Sequence, residues 1–465
     1  MVFSSMVFMF AFLPAALLGF YLLPRRFRNL FLLLANLVFY GWGEPVYILI
    51  MLAETLVCYA AGLAIGKTGD TSPRTARIAC AAACVFGIIM LGSFKYAGLI
   101  AKTIRLIPLF SAMPVPDIAL PIGISFYTFQ TISYVIDVYR KDVPAQRRIV
   151  DFAMYVTLFP QLIAGPIVRY KDVADQIDGN RASPEQFAAG VRMFVIGLGK
   201  KVLIANRMGT VWDILKVNAG AYGSLAAWFG VIAYTLQIYF DFSGYSDMAR
   251  GLGRMFGFEF NENFRYPYIS RSITEFWRRW HISLSTWFRD YVYIPLGGSR
   301  CSAGRRCFNL LCVWLLTGLW HGASWNFVLW GFYYFLLLAV ERAFLGKLME
   351  KLPKAAGHIY TLFAVMIGWV IFAFDGGTGE LAGFLSCLFA GGALSGDALN
   401  LIVRSLPIVC IAAAAATPLG AAIWKRIENT RAASALEAVL CLTVLVLCAS
   451  ALAGESYNPF LYFRF

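Results

Sequence analysis

Long apolar runs separated by short basic blocks constrain this chain more than any other feature. Val2 to Leu23, Ile78 to Phe94, Leu225 to Phe240, Phe327 to Val340, Tyr360 to Phe374 and Ala438 to Ala453 each approach the roughly 20 residues that a spanning helix needs. Between them fall Arg25 to Arg28, Lys67 to Arg77, Arg140 to Arg148, Lys200-Lys201, Arg300 to Arg306 and Lys347 to Lys354. In hydrocarbon a backbone must satisfy its own polar groups, so the only choices are helices or a closed barrel. Runs of this length specify helices. We expect an all-α polytopic membrane protein with about 11 transmembrane helices plus partial or interfacial ones.

Composition agrees. Of 465 residues 60% are hydrophobic and 14% charged, and the mean hydropathy is +0.67. The net charge of +14 calls for no nucleic acid, because the basic residues sit where the positive-inside rule places them. The first block follows the first span at once, so the N-terminus is expected outside and Arg25 to Arg28 in the cytoplasm. No cleavable signal peptide is expected, since no basic region precedes the first apolar run. Ten cysteines include no C-x-x-C, and no zinc or other metal site is expected. Nothing resembles a separate soluble domain. The chain reads as one membrane domain: plain spans over 1–120, a polar and aromatic core over 121–335, plain spans over 336–455, and an aromatic end over 456–465.

Within the core, His321 lies in an apolar stretch, Leu315 to Trp330. Ionisable groups at membrane depth are costly and are functional candidates by default. Gly318 and Gly322 flank it within a turn, which leaves its imidazole facing open space or a close neighbour. The same glycines form a small-xxx-small pattern that can serve only to bring two helices together. On spacing alone the two readings stand level.

Ser270 to Gly298 has apolar residues at Ile273, Phe276, Trp277, Trp280, Leu284, Trp287 and Tyr291, which predicts one amphipathic helix. Ser272 and Glu275 cap its start, and Pro295 with Gly297-Gly298 ends it. Its polar face carries Arg278, Arg279, Arg289 and Asp290. His281 stands at the border of the faces, where bonding to a nearby carbonyl or carboxylate is favoured over direct chemistry. Tyr239 to Asp247 reads as a polar break. Asp241, Ser243, Tyr245, Ser246 and Asp247 line a cavity there or cap a helix end. Gly123 to Gln130 and Pro160 to Arg169 are similar breaks. The last residues are aromatic up to Phe465, an interfacial anchor or a place where Tyr462 offers a phenol. With a pKa near 10, a phenol forms a more activated ester than a sugar hydroxyl does. Nucleotide-binding glycine loops, G-x-S-x-G and H-E-x-x-H are all missing from the sequence.

Pro121-Ile-Gly-Ile-Ser-Phe, Phe240-Asp-Phe-Ser-Gly-Tyr-Ser-Asp-Met, Asn263-Phe-Arg-Tyr-Pro-Tyr, Glu275-Phe-Trp-Arg-Arg-Trp-His-Ile-Ser-Leu-Ser and Gly318-Leu-Trp-His-Gly-Ala follow one another in order. Together they resemble the membrane-bound O-acyltransferase (MBOAT) family over nearly the whole chain. The branch they most resemble is the bacterial alginate O-acetyltransferase-like one, which also holds peptidoglycan O-acetyltransferases and the teichoic-acid D-alanyl transfer protein.

The resemblance implies a ring of helices around a tunnel in the bacterial plasma membrane. It implies His321 as the catalytic histidine and His281 as the second characteristic one. It implies an acyl thioester donor, acetyl-CoA, entering from the cytoplasm, with no permanently bound cofactor. A hydrolase-like partner outside would place the acyl group on a polysaccharide. Phe460 to Phe465 is similar to a motif of this branch in which the tyrosine, here Tyr462, is the proposed acyl carrier. On this reading Trp320 and Trp325 wall the tunnel. Arg278, Arg279 and Arg289 either meet donor phosphates or contact lipid headgroups. Burial would keep His321 a neutral base. The rivals are D-alanyl transfer to teichoic acid, a polar-lipid transporter with inverted halves, and a non-catalytic scaffold.

Overall fold

The computed structural model describes every residue except 164, 178–181, 375–377, 431, 455–459 and 462–465, and of Thr378 it describes only the backbone. The described residues form helices joined by turns, with no strand among them. Seven described helices are long and apolar enough to cross a membrane: Ile48–Thr68, Pro73–Lys95, Ser224–Met255, Trp325–Glu350, Lys354–Ala373, Gly396–Ala415 and Ala433–Ala453. Phe8–Leu22 and Gly379–Ala390 are shorter apolar helices. All six apolar runs read from the sequence fall largely within these segments. Arg25–Gly41 and Ile124–Arg140, at 17 residues each, and Ala303–His321, at 19, are further, more polar helices outside that set.

The chain divides into two compact units. One comprises Met1–Phe194, Tyr245–Asn261 and, of the described C-terminal residues, Phe460 and Leu461. The other comprises Val195–Gly244 and Glu262–Glu455.

In the first unit, Ile124–Arg140 is buried on nearly every side although it carries Thr128, Gln130, Thr131, Ser133 and Asp137. Its threonines explain part of this. Glu54, fully buried on Ile48–Thr68, accepts hydrogen bonds from Thr128 Oγ1 at 3.0 Å and Thr131 Oγ1 at 2.7 Å. Buried polar groups survive at low dielectric when they are hydrogen-bonded in this way. The expected break at Gly123 to Gln130 is confined to its first residue. Gly123 has φ +78° and precedes a helix that runs unbroken from Ile124.

In the second unit, Ala303–His321 turns back through Gly322 to Ser324 into Trp325–Val340. The two helices touch along glycine. The Cα of Gly318 lies against that of Gly331, and a Cβ at Gly318 would collide with the Phe327 carbonyl oxygen. A Cβ at Gly322 would enter the Phe327 ring. These glycines therefore do bring two helices together, as small residues do in membrane proteins.

Three expectations are corrected. Tyr239 to Asp247 is no break, because Ser224–Met255 is one helix of 32 residues. Its polar side chains are absorbed by burial against a neighbour: a Cβ at Gly244 would lie 2.7 Å from the Gly197 carbonyl oxygen. Lys200-Lys201, read as a basic block between apolar runs, lies inside a helix, since a π-helical turn, Lys200–Ala205, carries Pro184–Gly199 directly into Asn206–Val217. Ser270 to Gly298 is not one helix. It is Ile273–Arg279 and Ile282–Phe288, seven residues each and parted at Trp280-His281, the second running on into a π-helical turn, Arg289–Tyr293.

Replacing Gly318 by Ala is expected to lower stability by about 1–3 kcal/mol, the usual cost of overpacking. Gly304→Ala, in the first turn of the same helix and with nothing near its would-be Cβ, should be neutral or slightly stabilising. Thermal unfolding of both variants in detergent checks the contrast, and equal losses would refute the tight crossing.

Candidate active site

His321 is the last residue of Ala303–His321 and is buried, 3% exposed. Its ring is enclosed by others. Trp320 and Trp330 each lie at 5.0 Å between centroids and Phe372 at 5.3 Å, all near perpendicular. The imidazole thus faces close neighbours. Edge-to-face contacts of this kind fix a ring's orientation. The helix-approach reading of Gly318 and Gly322 does not compete with a functional reading of His321, because the close glycine contact and the enclosed ring occur in the same hairpin.

His281 occupies the gap between the two seven-residue helices. Its backbone is left-handed, φ +45°, which is uncommon outside glycine and costs energy for a histidine. The chain segment beginning at Asn263 holds this conformation. Arg265 N donates to the Arg279 carbonyl at 2.9 Å, and Ile282 N donates to the Asn263 carbonyl at 3.1 Å. His281 Nδ1 meets Asn263 Oδ1 at 3.2 Å. The favoured sequence reading, a histidine tied to a nearby carbonyl, describes that nitrogen. Phe242 packs edge-on at 4.6 Å and Trp320 lies at 5.8 Å. Trp320 therefore stands in ring contact with both histidines. Burial pushes the His281 pKa from 6.5 down to about 3, so its ring is neutral.

The start of Ile273–Arg279 is anchored from several sides. Ser272 Oγ accepts from Glu275 N, as its sequence spacing predicts. The Glu275 carboxylate reaches Arg271 N at 2.9 Å, one residue before the cap. Glu341 adds an anchor not foreseen: its carboxylate accepts from Ile273 N at 2.5 Å and from Thr274 N at 3.0 Å. An anion suits a helix N-terminus because the first amides have no intrahelical partner. His358 Nδ1 lies 3.2 Å from the Ser270 carbonyl oxygen.

The remaining candidates disperse. Asp241 is buried with Lys201, 2.5 Å between Oδ1 and Nζ. Ser243 is buried two residues further along the same helix. Trp325 is 56% exposed, and Trp330 is the tryptophan of that helix in contact with His321. Arg278 and Arg289 are exposed. Arg279 pairs with Glu275 at 2.9 Å and Arg289 with Asp290 at 2.7 Å. In the other unit, Tyr245 stacks on Phe3 at 4.6 Å and meets Phe460 in a tilted ring contact at 4.9 Å. Tyr462 lies outside the described residues.

Sequence reasoning missed Asn263, Lys201, Glu341, Trp330 and Phe372. Asn263 opened a quoted motif without a role. Lys201 was counted only as part of a basic block, and Glu341, at the end of an apolar run, was not weighed at all; neither signal names a partner. Trp330 and Phe372 carry no local signal. No group of three or more His, Cys, Asp or Glu that could hold a metal occurs among the described residues. The chemistry on offer is proton transfer and hydrogen bonding at two buried imidazoles in aromatic surroundings.

Residues 144–376 match the sequence profile of MBOAT, the membrane-bound O-acyltransferase family. The chain is 48% identical over 376 residues, 80% of its length and 75% of the relative's, to a probable alginate O-acetylase AlgI of Azotobacter vinelandii. It is 41% identical over 500 aligned positions, covering the whole of both chains, to a probable alginate O-acetylase AlgI of Pseudomonas putida. It is 33% identical over 407 positions, 80% of this chain and 77% of the relative, to a peptidoglycan O-acetyltransferase of Helicobacter pylori.

Two outcomes follow from the charges around the site. Lys201→Met alone takes the ammonium from a buried carboxylate and should cost about 3–5 kcal/mol, whereas Lys201→Met with Asp241→Leu should recover most of it; thermal unfolding of both, compared with wild type, decides. For His281, the folded pKa lies below the unfolded value of 6.5. Its contribution is intact above pH 6.5 and is lost as pH falls toward about 3, because the unfolded chain binds the proton first. The loss is at most about 1.4 kcal/mol per pH unit. Unfolding temperatures at pH 7.5 and 5 should differ less in His281→Gln than in wild type, and equal differences would contradict a buried neutral ring.

Proposed function

This chain belongs to the membrane-bound O-acyltransferase family and is an O-acyltransferase with multiple membrane-crossing helices; on that premise we propose that it moves an acetyl group from cytoplasmic acetyl-CoA across the membrane for O-acetylation of an extracytoplasmic, alginate-like polysaccharide. The observation that carries the reading is His321, a titratable ring buried at the end of Ala303–His321 and boxed by Trp320, Trp330 and Phe372. The higher identity to alginate O-acetylases than to the peptidoglycan enzyme favours the first polymer class.

In the proposed reaction a ring nitrogen of His321 accepts the proton of a hydroxyl as its oxygen attacks the thioester carbonyl. The new C–O bond forms, the C–S bond breaks, and the proton passes to the leaving thiolate. Imidazole suits both steps because its ordinary pKa lies near neutrality. The surrounding aromatic rings limit water that would hydrolyse the thioester. We assign the first hydroxyl acylated to Tyr462. Its aryl ester is activated relative to a sugar ester, so onward transfer to a polysaccharide hydroxyl runs downhill. An extracytoplasmic partner protein completes that second transfer.

The test is acyl transfer from radiolabelled acetyl-CoA to the purified protein, with polymer and partner added in a parallel reaction. His321→Ala should lose at least the roughly 100-fold typical of removing a general base. Label on the wild type that is lost in both His321→Ala and Tyr462→Phe supports the relay. Loss in His321→Ala alone keeps the enzyme and moves the carrier elsewhere. Full acetylation by a folded His321→Ala protein would sink the base assignment.

A further inference from the structure

Three hydrogen-bonding groups converge on one oxygen, Asn263 Oδ1. The backbone N of Ser283 reaches it at 3.2 Å, Ser283 Oγ at 3.0 Å and His281 Nδ1 at 3.2 Å. A backbone N–H can only donate. The amide atom facing it must therefore be the oxygen, since a flipped side chain would set Nδ2 against that N–H. This settles the other end of the contact. His281 Nδ1 shares an acceptor, so it must carry its proton there. A neutral imidazole has one N–H, and Nε2 is consequently bare.

That bare nitrogen is buried in a residue 1% exposed and has no hydrogen-bond partner among the described residues. Asn263 Nδ2, in a residue equally buried, likewise has none. Orphaned buried polar atoms are rare, and each asks for an explanation. Here they occur together, at a left-handed backbone position, beside Trp320, which also contacts His321. A purely structural staple needs the three bonds to Oδ1 but gives no reason to leave Nε2 empty.

We propose that Asn263 is a positioning residue that locks His281 in its Nδ1–H tautomer, so that Nε2 is a fixed hydrogen-bond acceptor for a hydroxyl donor of the substrate. The inference rests on the acyl-transfer reading above for the identity of that hydroxyl, but the tautomer itself does not. It divides the labour between the two histidines. His281 aligns the hydroxyl through its lone pair, and His321 removes the proton. It also assigns His281 no part as a donor to the developing oxyanion, because a bare nitrogen cannot donate.

The chain has only three histidines, so nitrogen NMR of ¹⁵N-histidine-labelled protein in lipid bilayers can resolve each ring. His321→Gln and His358→Gln supply the assignments. The wild type is expected to show His281 with a protonated Nδ1 and a bare Nε2. Asn263→Leu removes the acceptor and should lose that pattern. With it kcat should fall about 10–100-fold, as for other residues that orient a ligating or catalytic histidine, while KM for acetyl-CoA stays within about twofold. Asn263→Asp keeps an acceptor at the same place and should restore the Nδ1–H pattern.

A wild-type His281 protonated on Nε2, or an unchanged pattern in Asn263→Leu, overturns the proposal. If Asn263→Leu does not fold, Asn263→Asp and Ser283→Ala carry the test. Both preserve Oδ1 or its equivalent, and a switch to Nε2–H in either is again fatal. Failure of the acyl-transfer reading would show separately, as wild-type protein with the expected spectrum and no acetyl transfer.

Discussion

The two backbone hydrogen bonds that hold the chain at Asn263 and Arg265 across the gap between Arg279 and Ile282 are the contacts on which the site depends. They turn what would be one amphipathic helix into two short ones. A helix continued through Trp280-His281 would have placed His281 on its outer border, with its backbone groups satisfied internally. Broken there, the backbone turns left-handed and the ring is drawn onto Asn263. The Glu341 carboxylate on the first amides of Ile273–Arg279 holds the upstream end. Both devices use groups that a helix terminus leaves unpaired.

The same economy appears wherever charge enters apolar helices. Lys201 and Asp241 meet each other, Glu54 meets two threonine hydroxyls, and Glu341 meets amides. None of these arrangements adds much net stability, since desolvation offsets most of what the pairing returns. Each makes the alternatives costly, because shifting a helix by one residue would strand a buried charge. His321 and His281 differ from these groups. They are enclosed mainly by aromatic rings, which hold an imidazole in place without placing a carboxylate or ammonium against it.

Much of the architecture was legible. Apolar runs located the spans because hydropathy is a local property and a membrane filters for it residue by residue. His321 stood out because an ionisable group in such a run is rare. The failures are equally physical. The 3.6-residue pattern of Ile273, Phe276, Trp277, Trp280, Leu284 and Trp287 continues straight through a residue whose φ is +45°, since periodicity records which side chains are apolar and not the backbone angles between them. Tyr239 to Asp247 looked like a break because it is polar. Nothing local shows that Asp241 finds Lys201 across a glycine contact between helices.

By itself, then, the sequence determined the class of protein, the placement of its helices in outline, its family, and the two histidines with the motifs around them. These follow from apolar length, from the rarity of intramembrane histidine and from residue order. Only the tertiary structure decided that Trp320 stands against both rings, that Trp330 and Phe372 close around His321 while Trp325 is exposed, and that Asn263 dictates which nitrogen of His281 is bare. Those facts are contacts between residues distant in the chain. They depend on which helix faces approach and at what distance, and a one-dimensional pattern carries no term for either.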